Sequence, residues 1–213
     1  MNSLNILHSA GAELVCGAGR GIVTPAAKEL VTPSLIGLKG YFKVEHWRGG
    51  KRIDERQFPN GVTNEGKNFL LNVMFNGGTA KATWNLGLIS GTGYTALAAA
   101  DTYDNIDQAG NGWDEFASYT DPANADSAVT RPEWTEGAAS GQAITNSSVV
   151  VFDLTGAGTV KGLFLAGGTN AATKSDHTLS GNILWATALF SGGDVVVTGG
   201  DQLKVTYTVN TNA

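Results

Sequence analysis

The second half of the chain consists of short apolar or alternating runs, and their spacing constrains the fold more than any other feature. Gly, Asn, Thr or Asp residues, which favour turns, separate each run from the next. The runs cover residues 143–154, 159–166, 182–190, 194–198 and 203–209. Short strands joined by small polar loops are typical of antiparallel sandwiches and barrels. The sequence therefore predicts a mainly β protein with an antiparallel β-sandwich or jelly-roll-like domain.

A β-hairpin is the clearest local pattern in the first half of the chain. Residues 40–48 alternate, and Phe42, Val44 and His46 share one face of the predicted strand. Gly49-Gly50 follows, and two glycines can adopt the positive φ values that a two-residue hairpin turn requires. Residues 51–58 then return along the first strand. Because His46 shares its face with two apolar residues, we expect it to have a structural role.

One α-helix is predicted to flank the strands, over residues 63–75. Thr63 or Asn64 can cap it, and Glu65 lies in the first turn, where the helix dipole favours a negative charge. An apolar stripe at helical spacing follows, and two glycines end the helix. The stripe consists of Phe69, Leu70, Val73 and Met74, and the glycines are Gly77 and Gly78.

The predicted core combines this helix with the inward positions of the strands. Alternate residues of a half-buried strand face the same side, so each run contributes every second residue. The expected core residues are Phe42, Val44, Leu70, Met74, Trp84, Leu86, Leu88, Val150, Phe152, Phe164, Trp185, Leu203, Val205 and Tyr207.

The first 36 residues differ from the rest and predict an extended N-terminal arm at residues 1–36, ahead of a sandwich domain at 37–213. The arm has too many glycines to pack well alone and too many apolar residues for a plain solvated tail. Such a segment gains most by ordering against a neighbouring subunit. Its candidate partner contacts are Leu4, Ile6, Leu7, Leu14, Val15, Ile22, Val23, Leu30 and Val31.

A long irregular stretch at residues 90–141 is predicted as a loop inserted into the domain. Loops of this length in compact domains are usually functional. Trp113 and Trp134 are its largest side chains. They either anchor the loop on the sandwich, as buried aromatic residues commonly do, or form exposed contacts with a partner, where tryptophan is a favoured hot spot. We favour anchoring and keep both residues as candidate contacts.

The sequence carries no motif of a familiar catalytic, cofactor or metal site. His8, His46 and His177 lie far apart, and Cys16 is the only cysteine, which excludes an intrachain disulfide. A nucleophile elbow, a phosphate-binding loop and a zinc-protease motif are all missing. We therefore expect a protein that is not an enzyme and has no cofactor and no metal site.

The acidic loop at residues 101–107 is the one arguable metal-binding pattern. Asp101, Asp104 and Asp107 offer oxygen ligands that calcium could use. Their spacing departs from that of a calcium loop, and the closing glutamate is missing. Solvated carboxylates are the favoured interpretation.

The charge and hydropathy of the sequence indicate which classes of partner to expect. The net charge is −5, and the basic residues form one cluster, on the predicted hairpin at residues 48–56, instead of a basic face with interleaved aromatic residues. We therefore expect no nucleic-acid partner. No run approaches 18 apolar residues, so we expect no membrane partner either.

Four groups of segments resemble a family of virion proteins from tailed bacteriophages. The first is NGVTNEGKNFLLNVMF at residues 60–75, and the second is WNLGLIS at 84–90 with Gly93-Tyr94. The third is WDEFASY at 113–119 followed by TRPEW at 130–134. The fourth comprises FDLT at 152–155, GTVKGLF at 158–164, LWATALF at 184–190 and GDQLKVTYTV at 200–209. The resemblance covers about residues 38–213, and it rests on the order in which these segments occur along the chain.

The resemblance implies a virion structural protein, and it supplies no catalytic residues. Proteins of this kind serve as capsid cement or decoration proteins, head fibres or tail components. The leading expectation is a cement protein on the capsid surface, with the major capsid protein and copies of itself, as a dimer or trimer, for partners. The alternatives are a tail or head–tail connector component and a carbohydrate-binding module on the virion surface.

Overall fold

The computed structural model describes residues 37–107, 112–124, 129–174, 177 and 181–211. Within these residues the chain forms short strands and one α-helix, α1, at Asn64–Phe75. The strands are β1 (Lys39–Arg48), β2 (Lys51–Pro59), β3 (Gly61–Val62), β4 (Trp84–Ser90), β5 (Tyr119–Thr120), β6 (Ala143–Thr145), β7 (Val150–Leu154), β8 (Gly158–Gly167), β9 (Ile183–Leu189), β10 (Val195–Val197) and β11 (Gln202–Asn210).

The strands pair into two antiparallel sheets. The first sheet has the order β2-β1-β11-β7-β5, and β6 also pairs with β11. The second has the order β10-β8-β9-β3, and β4 also pairs with β8. This confirms the predicted mainly β, antiparallel sandwich with one flanking helix. The predicted arm at residues 1–36 lies outside the described residues.

The hairpin of β1 and β2 forms as predicted. Gly49 and Gly50 have φ values of 56° and 75°, which allow the tight reversal between the strands. His46 faces inward and is 6% exposed, and its Nε2 lies 2.9 Å from Oδ2 of Asp201. Arg48 donates to the same carboxylate from its Nε and Nη2. The Arg48 guanidinium beside Asp201 holds the pKa of that carboxyl well below its usual range.

The main core lies between the two sheets and is built from the inward residues that the alternation predicts. Each strand that faces this core contributes every second side chain, as the pleat requires. Among the predicted core residues, those buried are Phe42, Val44, Leu86, Leu88, Val150, Phe152, Phe164, Trp185, Leu203, Val205 and Tyr207.

The second sheet is covered on its outer face as well. Trp113 and Phe164 pack there with ring centroids 5.5 Å apart. The buried residues of this second apolar cluster are Ile89, Tyr103, Ile106, Trp113, Phe164, Ala166, Ala171 and Leu184. Segments 91–107, 112–116 and 168–174 thus add a layer to the sandwich, which explains why the central strands β8 and β9 are apolar at consecutive positions.

The structure corrects three predicted core positions, all at the edge of the sandwich. Met74 is 65% exposed, because the side of α1 that contacts the sheet carries Gly66, whereas Met74 lies on the solvent side. Leu70 and Trp84 are only partly buried, although both pack against the core. The apolar residues of α1 extend around more of the helix than the sheet covers.

The run at residues 143–154 was predicted as one strand, and the structure divides it into β6 and β7. Asn146 lies between them and is 9% exposed. Its Oδ1 accepts a hydrogen bond from Tyr207 N at 2.8 Å, and its Nδ2 donates to Val205 O at 3.3 Å. The side-chain amide of Asn146 therefore makes the hydrogen bonds to the β11 backbone that a strand backbone would otherwise make. The segment between β6 and β7 can then leave the sheet without unpaired β11 groups.

Trp185 tests whether the core is packed as described. It is 7% exposed, and its Nε1 donates to the Tyr207 hydroxyl at 3.2 Å. Replacement of a buried large side chain by alanine removes transfer free energy and leaves a cavity, so Trp185→Ala should lower the free energy of unfolding by about 3–5 kcal/mol. The measurement is urea denaturation followed by circular dichroism.

Val196→Ala is the matched control for Trp185→Ala. Val196 lies on β10 and is 67% exposed, so its truncation should change the free energy of unfolding by less than about 0.5 kcal/mol. A loss below about 1 kcal/mol for Trp185→Ala would show that the tryptophan is not part of the core.

Candidate docking surface

An apolar groove opens at one end of the sandwich, beside α1. It has a volume of about 290 Å³, and all of its lining residues except one glutamate are apolar. They are Leu38, Phe69, Leu70, Trp84, Trp134, Glu136, Ile144, Leu165, Trp185 and Val209. The groove therefore brings together both sheets, the helix, the inserted loop and the residue that precedes β1.

The helix α1 is held in place at its first turn by contacts with the second sheet. The hydroxyl of Thr63 caps the helix by accepting from Gly66 N at 3.0 Å, and it donates to Leu184 O at 2.5 Å. A Cβ at Gly66 would lie 2.6 Å from Trp185 O, so only glycine permits this approach. The cap predicted at Thr63 or Asn64 is therefore Thr63.

Glu65 fastens the same turn to two other elements. Its Oε2 accepts from Tyr103 N at 2.9 Å and from Leu184 N at 2.6 Å. Burial raises the pKa of Glu65 above its ordinary value, while these two backbone hydrogen bonds act in the opposite direction. Because the first turn is tied to β9 and to the loop at residue 103, the outer face of α1 is a fixed surface.

The outer face of α1 carries an apolar stripe. Leu71, Met74 and Phe75 are 55%, 65% and 78% exposed, and their spacing of three and four residues places them on one side of the helix. Exposed polar residues lie beside the stripe, among them Lys67, Asn68, Asn72 and Asn76. Contiguous exposed apolar residues with a polar rim mark interaction sites on soluble proteins. We call these three residues the α1 stripe.

The α1 stripe was missed by the sequence analysis. Met74 was assigned to the core, and Leu71 and Phe75 were assigned no role. A signal was present, because six residues of this helix are large and apolar, Phe69, Leu70, Leu71, Val73, Met74 and Phe75, and they cover more than the face that one sheet can bury.

The two candidate tryptophans of the inserted loop are both buried. Trp113 is 1% exposed, and its Nε1 donates to Asp101 Oδ2 at 2.9 Å. Trp134 is 4% exposed, and its Nε1 donates to Tyr207 O at 3.2 Å. Each ring is packed against a sheet and each indole N–H is bonded within the chain. Both residues therefore anchor the loop on the sandwich, and Trp134 also lines the apolar groove.

The nine apolar candidates of the arm lie outside the described residues. Leu4, Ile6, Leu7, Leu14, Val15, Ile22, Val23, Leu30 and Val31 all precede residue 37. Their proposed contact with a partner stays a prediction.

A buried ion pair fixes the inserted loop. Arg131 donates to both carboxylate oxygens of Glu115, at 2.9 and 2.7 Å, and both side chains are fully buried. The Tyr119 hydroxyl donates to the same carboxylate at 2.6 Å, and Arg131 also donates to the Tyr103 hydroxyl at 2.8 Å. Burial alone would raise the pKa of Glu115, but Arg131 beside it holds that pKa below its ordinary value. The negative charge of Glu115 is therefore balanced by the positive charge of Arg131.

Three potential metal ligands meet next to this pair. The ligand atoms of Asp107, Glu115 and His177 lie within 4.8 Å of one another, and His177 Nε2 is 3.2 Å from Asp107 Oδ2. Arg131 already binds both oxygens of Glu115, and its Nη2 lies 3.3 Å from His177 Nε2. A fixed guanidinium at this place supplies the positive charge that a cation would supply. We therefore interpret the group as an ion-pair network.

Two carboxylates of the acidic loop at residues 101–107 accept hydrogen bonds within the chain, whereas that of the third residue, Asp104, is exposed. Asp101 Oδ2 accepts from Ala98 N and from Trp113 Nε1, both at 2.9 Å. Asp107 Oδ1 accepts from Glu115 N at 2.5 Å, and burial raises the pKa of Asp107. Asp101 and Asp107 thus hold backbone and side chains in place, which is a more specific role than the solvated carboxylates that the sequence suggested.

Comparisons with protein-family models, with curated proteins and with solved structures gave no match to this chain. Among the described residues, no helix has the length and apolar character needed to cross a membrane.

The Glu115–Arg131 pair predicts a specific order of variant stabilities. Arg131→Met leaves the Glu115 carboxylate buried without its counter-charge, so the free energy of unfolding should fall by about 3–5 kcal/mol. The double variant Glu115→Leu/Arg131→Met buries no charge and should lose less than the single variant. Urea denaturation at pH 7 measures both. A single variant as stable as the parent chain, or a double variant less stable than the single one, would contradict the described pair.

Proposed function

We propose that this chain is a non-enzymatic structural protein of a tailed-bacteriophage virion. In this role it is a cement or decoration protein that docks on the outer surface of the capsid and braces neighbouring coat subunits. Its partners are the major capsid protein and further copies of itself. The resemblance of the segments between residues 60 and 209 to phage virion proteins supports this proposal, and so does a sandwich whose loops are anchored by internal hydrogen bonds.

The α1 stripe is the observation that carries the proposal. Phe75 and Met74 leave most of their apolar surface in water, on a helix whose first turn is hydrogen-bonded to Leu184 of β9. Burial of such side chains against a partner is favourable by about 25 cal/mol per Å² of apolar surface. Thr63, Glu65 and Gly66 already fix α1 against the second sheet in the unbound chain. Docking through the α1 stripe therefore costs little conformational entropy.

The arrangement of the titratable groups favours a structural role over catalysis. Glu115, Arg131 and Tyr119 are buried and bonded to one another. Asp201 is 1% exposed and is bonded to Arg48 and His46. In each case the partner of the carboxylate is another side chain of the sandwich or its loop, so these groups stabilise the fold.

The number of copies per particle tests the proposed function. Quantitative mass spectrometry on purified particles of the encoding phage gives the ratio of this chain to the major capsid protein. Closed symmetry repeats each contact of a shell many times, so a cement protein should be present in on the order of hundreds of copies. About a dozen copies or fewer would place the chain in the tail or connector, and its absence from particles would refute a virion role.

The α1 stripe also predicts the effect of surface variants on docking. Met74→Ser/Phe75→Ser should weaken binding to capsid shells at least about 10-fold, because central apolar residues of an interface contribute most of its affinity. Both residues are exposed, so the free energy of unfolding should change little. Co-sedimentation of the purified variant with shells that lack this protein measures the affinity.

Val196→Ser is the control for the docking experiment. Val196 is an apolar residue of similar exposure on β10, away from α1. It should bind shells as tightly as the parent chain. Equal affinity of the stripe variant and the parent chain would show that α1 does not face the shell.

A further inference from the structure

The chain contains Asn-Gly pairs, and such a pair can lose its side-chain amide without an enzyme. The backbone nitrogen of the glycine attacks Cγ of the asparagine, gives up its proton and expels ammonia, which leaves a cyclic imide. Water then opens the imide to aspartate or isoaspartate, so the net reaction consumes one water and releases one ammonia. Glycine favours the attack because it has no Cβ to hinder the approach.

The pair Asn60-Gly61 is held by hydrogen bonds on both sides of the reacting groups. Asn60 Nδ2 donates to the Tyr207 hydroxyl at 3.0 Å, and Asn60 N donates to Gly40 O at 3.0 Å. Gly61 belongs to β3 and lies opposite Thr187 in the ladder. The amide carbon of Asn60 can reach Gly61 N only after these contacts open, so the fold protects this pair.

The pair Asn76-Gly77 lies in the opposite situation, at the C-terminal end of α1. Asn76 is the exposed residue that follows the helix, and its side chain has no hydrogen-bond partner among the described residues. Gly77 has a φ of 66°, and a Cβ built on it would meet no other group within 4 Å. The chain from Asn76 to Thr83 forms neither helix nor strand. The amide can therefore approach the backbone nitrogen without breaking contacts of the sandwich.

We propose that Asn76 is a site of spontaneous deamidation, which converts its amide into a carboxylate at the end of α1. Asn72 shows that exposure alone is not sufficient. It is exposed as well, but it lies within α1 and precedes Val73, whose β-branched side chain hinders the attack. Among these asparagines, only Asn76 combines an exposed amide, a following glycine and an irregular backbone.

Deamidation at Asn76 places a negative charge next to the α1 stripe. Phe75 of the stripe directly precedes Asn76, and the last turn of α1 has no basic residue to balance the charge. The helix dipole disfavours an anion at this end. In docking through the α1 stripe, the new carboxylate would lose water beside an apolar contact, which weakens binding. This consequence rests on the proposed function, whereas the deamidation itself does not.

Peptide mapping by mass spectrometry tests the proposal on the unmodified full-length chain. After incubation of the folded protein at mildly alkaline pH, each asparagine is quantified in the same sample. Asn76 should deamidate at least about 10-fold faster than Asn60 and Asn72. The same rate at Asn76 as at either of the other two residues would overturn the proposal.

Incubation in urea is the control for the role of the fold. In the unfolded chain Asn60 and Asn76 should react at rates within about 3-fold of each other, because both precede glycine and the contacts of Asn60 are lost. Asn72 should stay slow, because Val73 still follows it. If Asn60 remained at least about 10-fold slower than Asn76 in urea, its hydrogen bonds would not be the cause of its protection, and the structural account would be wrong.

The variant Asn76→Gln tests the consequence for docking, because glutamine would have to form a larger and less favourable ring. Co-sedimentation with shells that lack this protein is measured before and after incubation. The incubated parent chain should bind at least about 3-fold more weakly than the fresh chain, and Asn76→Gln should keep its affinity. Unchanged affinity of a parent chain that the peptide map shows to be converted would overturn this consequence. Failure of the fresh parent chain to bind shells would instead refute the proposed function, and the peptide map would still decide the deamidation.

Discussion

Tyr207 joins the two sheets, and the rest of the sandwich depends on this contact. Its ring stacks on Phe42 with centroids 4.3 Å apart, and its hydroxyl accepts hydrogen bonds from Trp185 Nε1 on the second sheet and from Asn60 Nδ2. Burial raises the pKa of Tyr207, so the hydroxyl stays neutral. A Cβ at Gly40 would lie 2.6 Å from this hydroxyl, which explains why glycine occupies that position of β1.

The contact at Tyr207 also determines where an interaction surface can form. Trp185 is held by Tyr207 on one side, and its backbone receives α1 through Gly66 on the other. The helix is therefore fixed against the second sheet, and its remaining apolar residues face outward because the sheet has no further surface to cover them. The α1 stripe is thus a consequence of how the helix is seated. It gives the proposed cement protein a rigid apolar face for docking.

Local periodicity predicted the fold, whereas contacts between distant segments could not be predicted. The hairpin at Gly49-Gly50 and the helix cap are set by neighbouring residues, so the sequence predicted the hairpin and narrowed the cap to Thr63 or Asn64, of which the structure uses Thr63. The prediction that Met74 belongs to the core was wrong, because helical periodicity identifies the apolar residues of α1 but not which of them contact the sheet. The Glu115–Arg131 pair joins residues 16 positions apart in an irregular loop, so no period indicates it. The role of Asn146 depends equally on β11, about 60 residues away, and no local pattern could identify it.

The central claim is that this sandwich docks on a phage capsid through the outer face of α1. A cryo-electron microscopy map of the intact particle, at a resolution that separates strands, tests it most directly. The account predicts density for the two-sheet domain on the outer surface of the shell, with Met74 and Phe75 against coat subunits. Density for the domain only in the tail, or on the shell with α1 facing solvent, would contradict it.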